Sequence, residues 1–317
     1  MLSFRTFRNT DPPLLAALWR SRATQLGLTQ PVSAEVLEQL VFAKPYFDYQ
    51  GLILAFDAGR PVGFVHAGFG PNPARDGLET DTGVICVVVV SADCDQAAVG
   101  HGLLDRSEAY LRARGARVLY GGGQAPLEPF YVGLYGGSHL PGILDADSAA
   151  QQLFLQRGYQ QVDRTMAVRC HLAGFRPPFH RSHHELRRKM TVSLRWDPPA
   201  RNWWEACMAA YFDYLRFQLT PRHGQQPVAQ ATFRSMELYG ANLNRAMAMV
   251  DVEVAANYCD RPAGVFLVGE AFRQLAVLGT QTVDAQALRS DRRSAALLEA
   301  LGLTLVDQGA VFRKEFA

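Results

Sequence analysis

The triplet Gly100-His101-Gly102 follows an unbroken apolar run, Val84 to Val90, and lies near the start of a stretch with helical spacing. Glycines at the head of a helix let the main chain come close to an anion, because no Cβ intervenes. The first amides of a helix have no intrahelical partner, and the dipole favours negative charge there. Successive amides in such a turn form a nest suited to a phosphate or diphosphate. A dinucleotide turn would need G-x-G-x-x-G, but Asp105 stands where the third glycine belongs. Gly121-Gly122-Gly123 and Gly136-Gly137 lack the Lys-Ser/Thr of a nucleoside-triphosphate loop and read as turns. His180, His183 and His184 sit among Arg181, Arg187, Arg188 and Lys189 without a carboxylate or thiol at ligand spacing, so no metal is expected. The five cysteines are scattered with no CxxC pair, which reads as reduced thiols in a cytoplasmic protein.

The elements that must position this turn fill 317 residues, enough for two domains. Hydrophobic residues make up 48% and charged residues 20%, which lets each half bury a core. A formal net charge of +2 with no banding of basic residues argues against a nucleic-acid groove or an anionic membrane surface. The N-terminus lacks the pattern of a signal peptide, and Val84 to Val90 is far too short to span a bilayer. A soluble, cytoplasmic protein is expected, as a monomer or a homodimer.

Leu2, Phe4 and Thr6 alternate as a first strand, and Asp11-Pro12-Pro13 opens a helix. A second helix is predicted from Ser33 to about Ala43, then a hairpin around Asp57-Ala58-Gly59-Arg60. Val84 to Val90, apolar on both faces, reads as a central strand covered on both sides. A helix from about Ala98 to Arg114 follows, stopped by Gly115. The glycine-aromatic stretch from Phe130 to Gly142 is a long loop of the kind that carries function or is disordered. A short helix and strand close the first half at Leu172; residues 173–187 read as a linker and 188–317 as the second half.

A shift of 164 residues superposes the central unit on itself: Val88 meets Val252, Val90 meets Val254, Gly100 meets Gly264 and Gly115 meets Gly279. Near the end of each half the shift falls to 144, where Gly158 meets Gly302, Asp163 meets Asp307 and Arg169 meets Arg313. The 20-residue difference falls in the glycine-aromatic loop, which the second half lacks. Two copies in one order indicate duplicated domains.

In this order of elements the chain resembles the GNAT N-acetyltransferase family twice over. The resemblance implies two tandem α+β (α/β) folds over 1–172 and 188–317, each a mixed sheet flanked by helices. The family's diphosphate loop, Gln/Arg-x-x-Gly-x-Gly/Ala, aligns with Asp95-Gln96-Ala97-Ala98-Val99-Gly100 and with Cys259-Asp260-Arg261-Pro262-Ala263-Gly264. Pro262 removes an amide that a phosphate would want, so the first half is the better acetyl-CoA candidate and the second a candidate degenerate copy. The implied contacts to acetyl-CoA are Val88, Val90, Gln96, Ala97, Ala98, Val99, Gly100, His101 and Gly102.

Acetyl transfer to an amine needs a base, oxyanion donors and an acid for the thiolate. The family's acid is a tyrosine four residues before a Gly-Phe pair; Phe154 and Leu298 hold that place, and Tyr131 or Tyr135 could substitute. Glu253, alternating with Asp251 on the second central strand, is the candidate base there; Glu79 and Asp81 are the nearest acids in the first half. The implied activity is acetyl-CoA-dependent N-acetylation of a primary amine on a small molecule or peptide. The alternative is a catalytically silent pair that binds acyl-CoA as a sensor or interaction module.

Overall fold

A computed structural model describes residues 1–23, 31–239, 243, 245–258 and 262–316. The first half runs β1 (Leu2–Thr6), α1 (Pro12–Ala23), α2 (Ala34–Leu37) and β2 (Leu52–Asp57), β3 (Arg60–Pro71), β4 (Leu78–Val90). It continues with α3 (Gln96–Ala113), β5 (Val118–Gly121), β6 (Ile143–Leu144), α4 (Ser148–Gln156) and β7 (Gln160–His171). Ser33 caps α2 by accepting from the Val36 amide, as expected, but the helix widens to a π turn over Glu38–Phe42. The predicted linker is partly helical, α5 (Arg181–Lys189), held by the buried His183 and Leu186.

The second half comprises β8 (Met190–Trp196), α6 (Trp203–Ala209), β9 (Tyr214–Pro221), β10 (Ala229–Ser235) and β11 (Ala246–Val254). It ends with α7 (Ala263–Val277), β12 (Thr282–Leu288), α8 (Arg292–Ala300) and β13 (Thr304–Glu315). The fold is thus a mixed α/β architecture built twice.

Both halves share one sheet, in the order β1-β2-β3-β4-β5-β13-β7-β12-β11-β10-β9-β8, with β6 beside β13. The final strands are exchanged. β13, from the second half, lies against β5, with Phe312 opposite Gly121. β7, from the first half, lies against β12, with Val168 opposite Ala285. The two exchanged strands pair with each other, Arg313 opposite Gln160 and Thr304 opposite Arg169. These pairings interchange under the two sequence shifts, so the molecule has a pseudo-two-fold axis between β7 and β13.

The duplication extends to irregularities. Cys86 is an extra residue between Ile85 and Val87, which pair with Ala67 and His66. Val250, its mate at a shift of 164, is likewise extra between Met249 and Asp251. A bulge of this kind re-aims a strand. Beyond it the parallel neighbour departs: β4 pairs with β5 only as far as Ile85–Gly121, and β11 with β12 only as far as Met249–Ala285. Each half therefore contains a V-shaped opening beside the second part of its central strand.

As the apolar run predicts, Val84 and Val89 face the core under α1 and α2, while Ile85 and Val88 face the one under α3. In the second half Leu267 and Phe272 of α7 pack on Phe217, Phe233 and Val283, all fully buried. Each such side chain contributes about 1.5–3 kcal/mol. The glycine-aromatic loop is packed between the halves rather than free: Phe130, Tyr131, Leu134 and Leu140 join a core with Trp19, Met236 and Ala248. Gly133 (φ 83°) and Gly137 (φ 73°) take left-handed turns, and a Cβ on either would strike Tyr239 or Gln286 of the second half. Trp204 stacks on Tyr46 across the same seam, ring centres 4.9 Å apart. Among the described residues no helix is long and apolar enough to cross a membrane.

Candidate active site

The two openings differ. In the first half α3 begins at Gln96, and Asp95 caps it, its carboxylate accepting from the Ala98 amide at 3.0 Å. The Val99 amide donates to the Asp95 carbonyl. Val99 and Gly100 already lie inside the helix and are buried. Of the amides expected to cradle a diphosphate, those of Ala98 and Val99 are thus spent on the protein, beside the Asp95 carboxylate. The glycines serve packing: a Cβ on Gly100 would sit 2.3 Å from Leu153 Cδ1, and one on Gly102 2.3 Å from Phe4 Cζ. His101 turns its Nε2 to Gln156 at 3.1 Å, and Gln96 donates to the Ser91 carbonyl. Ala97 is exposed.

Val88 and Val90 do border the opening with Gln96, Ala150 and Leu153, but only about 20 Å³ remains there, room for one water. Arg22 and Asp147, 3.4 Å apart, line the same space. On the opposite face, Phe130, Tyr131 and Leu134 pack into the core that Val87 and Val89 share.

The second half is more open. Cys86 to Val89 are buried, whereas their mates at a shift of 164, residues 250–253, are half-buried or exposed. The helix α7 begins at Ala263, whose register mate is Val99, so the preceding connection is three residues longer than before α3. Among the described residues its head carries no side-chain cap. Ala263 and Gly264 are buried like their mates, and among the described residues a Cβ on Gly264 would first meet Val254 Cγ2, at 3.3 Å. Cys259, Asp260 and Arg261 of the aligned loop lie outside the described residues.

Asp251 and Glu253 lie on one face of β11, as their alternation predicts. Arg201 binds Glu253 at 2.5 Å and Glu205 at 2.5 Å, and stands 3.6 Å from Asp251. Asp251 is about a third exposed at 32%. Burial pushes its carboxyl up, against a hydrogen bond from Thr232 and with reinforcement from Glu253. A carboxylate so shifted is better matched to taking a proton from an ammonium.

A histidine that the alignment overlooks completes this region. His139, in the loop of the first half, places Nδ1 2.6 Å from Glu128 Oε1 and Nε2 2.9 Å from the carbonyl of the bulged Val250. Both partners only accept, so both ring nitrogens donate and the ring is an imidazolium. Burial lowers its pKa, but the charge of Glu128 and the hydrogen bond to it outweigh that and leave it raised. Its amide donates to Gln286 Oε1, and Ser138 Oγ accepts from the Gln286 amide, which fixes the loop at the apex of the second opening. The only sequence signal was a histidine inside a long glycine-rich loop.

The remaining candidates do not meet at either opening. Glu79 and Asp81 precede Val88 by seven or more strand residues, roughly 23 Å or more away. Glu79 Oε1 accepts from the Asp81 amide, and it borders a separate recess of about 260 Å³ near Tyr120 and Leu127. Tyr131 is 2% exposed, stacks on Trp19 and shares a 3.0 Å hydrogen bond with His66 Nδ1. Burial raises its pKa well above the usual tyrosine value, and Tyr135 is shifted the same way. Neither can reach a departing thiolate. Phe154 is fully buried against Phe312, and Leu298 is buried in the second core.

Residues 18–133 match the family model described as the acetyltransferase (GNAT) family. No curated protein matches the chain. Among solved structures, a GCN5-related glucosamine N-acetyltransferase region of a fungal multi-domain GH3 β-N-acetylglucosaminidase matches 99% of the chain at 16% identity and TM-score 0.73. The chain spans only 38% of that protein. A GCN5-related N-acetyltransferase from Sphaerobacter thermophilus matches 99% of the chain and 95% of its own length, with 14% identity and TM-score 0.67. A tandem GNAT protein from the clavulanic acid biosynthesis pathway matches 99% and 98%, with 12% identity and TM-score 0.67. At such identities the likeness is one of fold.

Proposed function

We propose, from a chain that carries a GNAT acetyltransferase domain in its first half and builds the GNAT fold twice, that the protein is an acyl-CoA-dependent N-acyltransferase whose second half holds the thioester. The observation that carries this reading is the head of α7, without a side-chain cap among the described residues, behind the half-open Val252 and Val254. A helix head left without a cap by the described residues favours a diphosphate, whereas the head of α3 meets it with Asp95. The first half then acts as scaffold and supplies the loop that carries His139.

In the second opening the thioester lies along β11, where main-chain amides beyond Met249 have no β12 partner to compete for the developing oxyanion. Asp251 takes a proton from the incoming ammonium, and the free amine attacks the thioester carbonyl. Collapse of the tetrahedral intermediate forms the amide and expels the thiolate, and the second ammonium proton passes from the nitrogen through water to the sulfur, since Leu298 offers no hydroxyl. Arg201 holds Glu253 at 2.5 Å and stands farther from Asp251, at 3.6 Å, so Asp251 rather than Glu253 is the base. The acceptor is a primary amine on a small molecule or peptide.

Calorimetric titration of acetyl-CoA into the whole chain tests the assignment. Gly264→Glu should weaken binding at least tenfold, while Ala98→Glu, at the exposed head of α3, should leave it within about twofold; tenfold corresponds to about 1.4 kcal/mol. The reverse pattern would return the cofactor to the first half. Tight binding without release of CoA across an amine panel would identify a sensor instead of an enzyme.

A further inference from the structure

We propose that the seam between the halves holds a single small inorganic anion of halide size, between Lys44 and Arg234. This site is independent of the acyl-CoA assignment. Lys44 follows α2 in the first half and Arg234 lies on β10 in the second, and both line one cavity of about 10 Å³. That is the space of about one water-sized sphere. Phe130, Tyr131, Met208 and Phe212 contribute the rest of the wall that matters, and none carries charge.

Both cations are deeply buried, Lys44 at 7% and Arg234 at 2% exposure. Among the described residues neither has a carboxylate partner. Lys44 Nζ donates to the Cys207 carbonyl at 2.5 Å. Arg234 donates to the Ser138 carbonyl and to the Tyr214 hydroxyl, and lies over the Phe212 ring at 5.0 Å. Its Nε–H has no partner. The buried carboxylate nearby, Glu128, spends its two oxygens on His139 and the Leu140 amide. Three cations therefore share this interior with one anion. A buried charge without a counter-charge is among the costliest arrangements in a protein.

Deprotonating Lys44 would relieve only part of that imbalance. Burial brings its pKa down to about 8, with the charge of Arg234 acting in the same direction, so at pH 7 it still carries its proton. A monatomic anion fits the volume, accepts from the ammonium and from the idle Nε–H, and leaves one net positive charge in place of two. A carboxylate or phosphate is too large for this cavity.

The test compares thermal unfolding of the whole chain in sodium bromide and in sodium gluconate at equal ionic strength. A halide-specific, saturating rise is expected, roughly 5 °C at a hundredfold excess over the dissociation constant. Lys44→Met should abolish the difference. Crystals soaked in bromide should show an anomalous peak within hydrogen-bonding reach of Lys44 Nζ and Arg234 Nε. Equal unfolding curves in the two salts, or a map with only water between these atoms, would overturn the proposal. Should Lys44→Met fail to fold, the wild-type bromide map decides alone.

Discussion

At the head of α3, Asp95 commits its carboxylate to the Ala98 amide; at the head of α7, no side chain among the described residues caps the helix. Behind the first, a Cβ on Gly100 would meet Leu153 at 2.3 Å; behind the second, one on Gly264 would meet Val254 at 3.3 Å. The bulges at Cys86 and Val250 show that the two strands began as the same device. The first copy packs its own side chains along the opening, and its loop reaches across to the other at Val250. The family model nevertheless matches the closed copy, residues 18–133. Such a likeness is carried by core positions, which packing preserves whether or not the opening still admits a ligand.

The exchanged strands offer the largest break in this symmetry. Arg169 on β7 binds Asp284 of β12 through two hydrogen bonds, at 2.6 and 2.8 Å, and Asp284 is 1% exposed. Its mate Arg313 on β13 faces Tyr120 and pairs only with the exposed Glu315. Arg169→Met leaves a buried carboxylate alone and should cost about 3–5 kcal/mol. Arg313→Met should cost less than about 1 kcal/mol. Urea denaturation of both variants reads the difference; equal costs would mean that the second half does not depend on its borrowed strand.

Much of this pairing was legible except for its destination. Shifts of 164 and 144 residues located the central strands, their helices and the last strands, and the apolar Val84 to Val90 announced a strand buried on both faces. The exchange of β7 and β13 was not legible because the two strands are chemically alike. Each carries Val-Asp near its start and an arginine six residues beyond the aspartate, so either would satisfy either sheet. The tie of His139 to Val250 was hidden for another reason: glycines and aromatics declare a loop but name no partner. Asp95 was readable, since an aspartate before a helical stretch is a capping signal. Aligning it with a diphosphate pattern left that capping role unread.

The glycines sharpen the same contrast at an intermediate scale. Gly100→Ala inserts a methyl 2.3 Å from a side chain that is itself only 8% exposed. Overpacking of this kind costs about 1–3 kcal/mol, partly offset by the better helix propensity of alanine. Gly264→Ala meets Val254 at 3.3 Å, where a small shift of one methyl suffices, so stability should hold or rise by a few tenths of a kcal/mol. Opposite signs in the midpoint of urea unfolding are expected. A loss at both sites would mean that the second helix is packed as tightly as the first.

The smallest effect concerns the cap itself. Asp95→Ala frees the Ala98 amide and removes the negative charge at the head of α3, at a cost of about 1 kcal/mol. If the aspartate alone excluded a diphosphate, this variant would gain a second acetyl-CoA site per chain. The space beside Val88 and Val90 predicts otherwise, because about 20 Å³ cannot admit a pantetheine arm even when the helix head is open to a phosphate. Titration should therefore give the same stoichiometry for Asp95→Ala as for the unaltered chain. A second binding event would show that charge, rather than packing, had closed the first half.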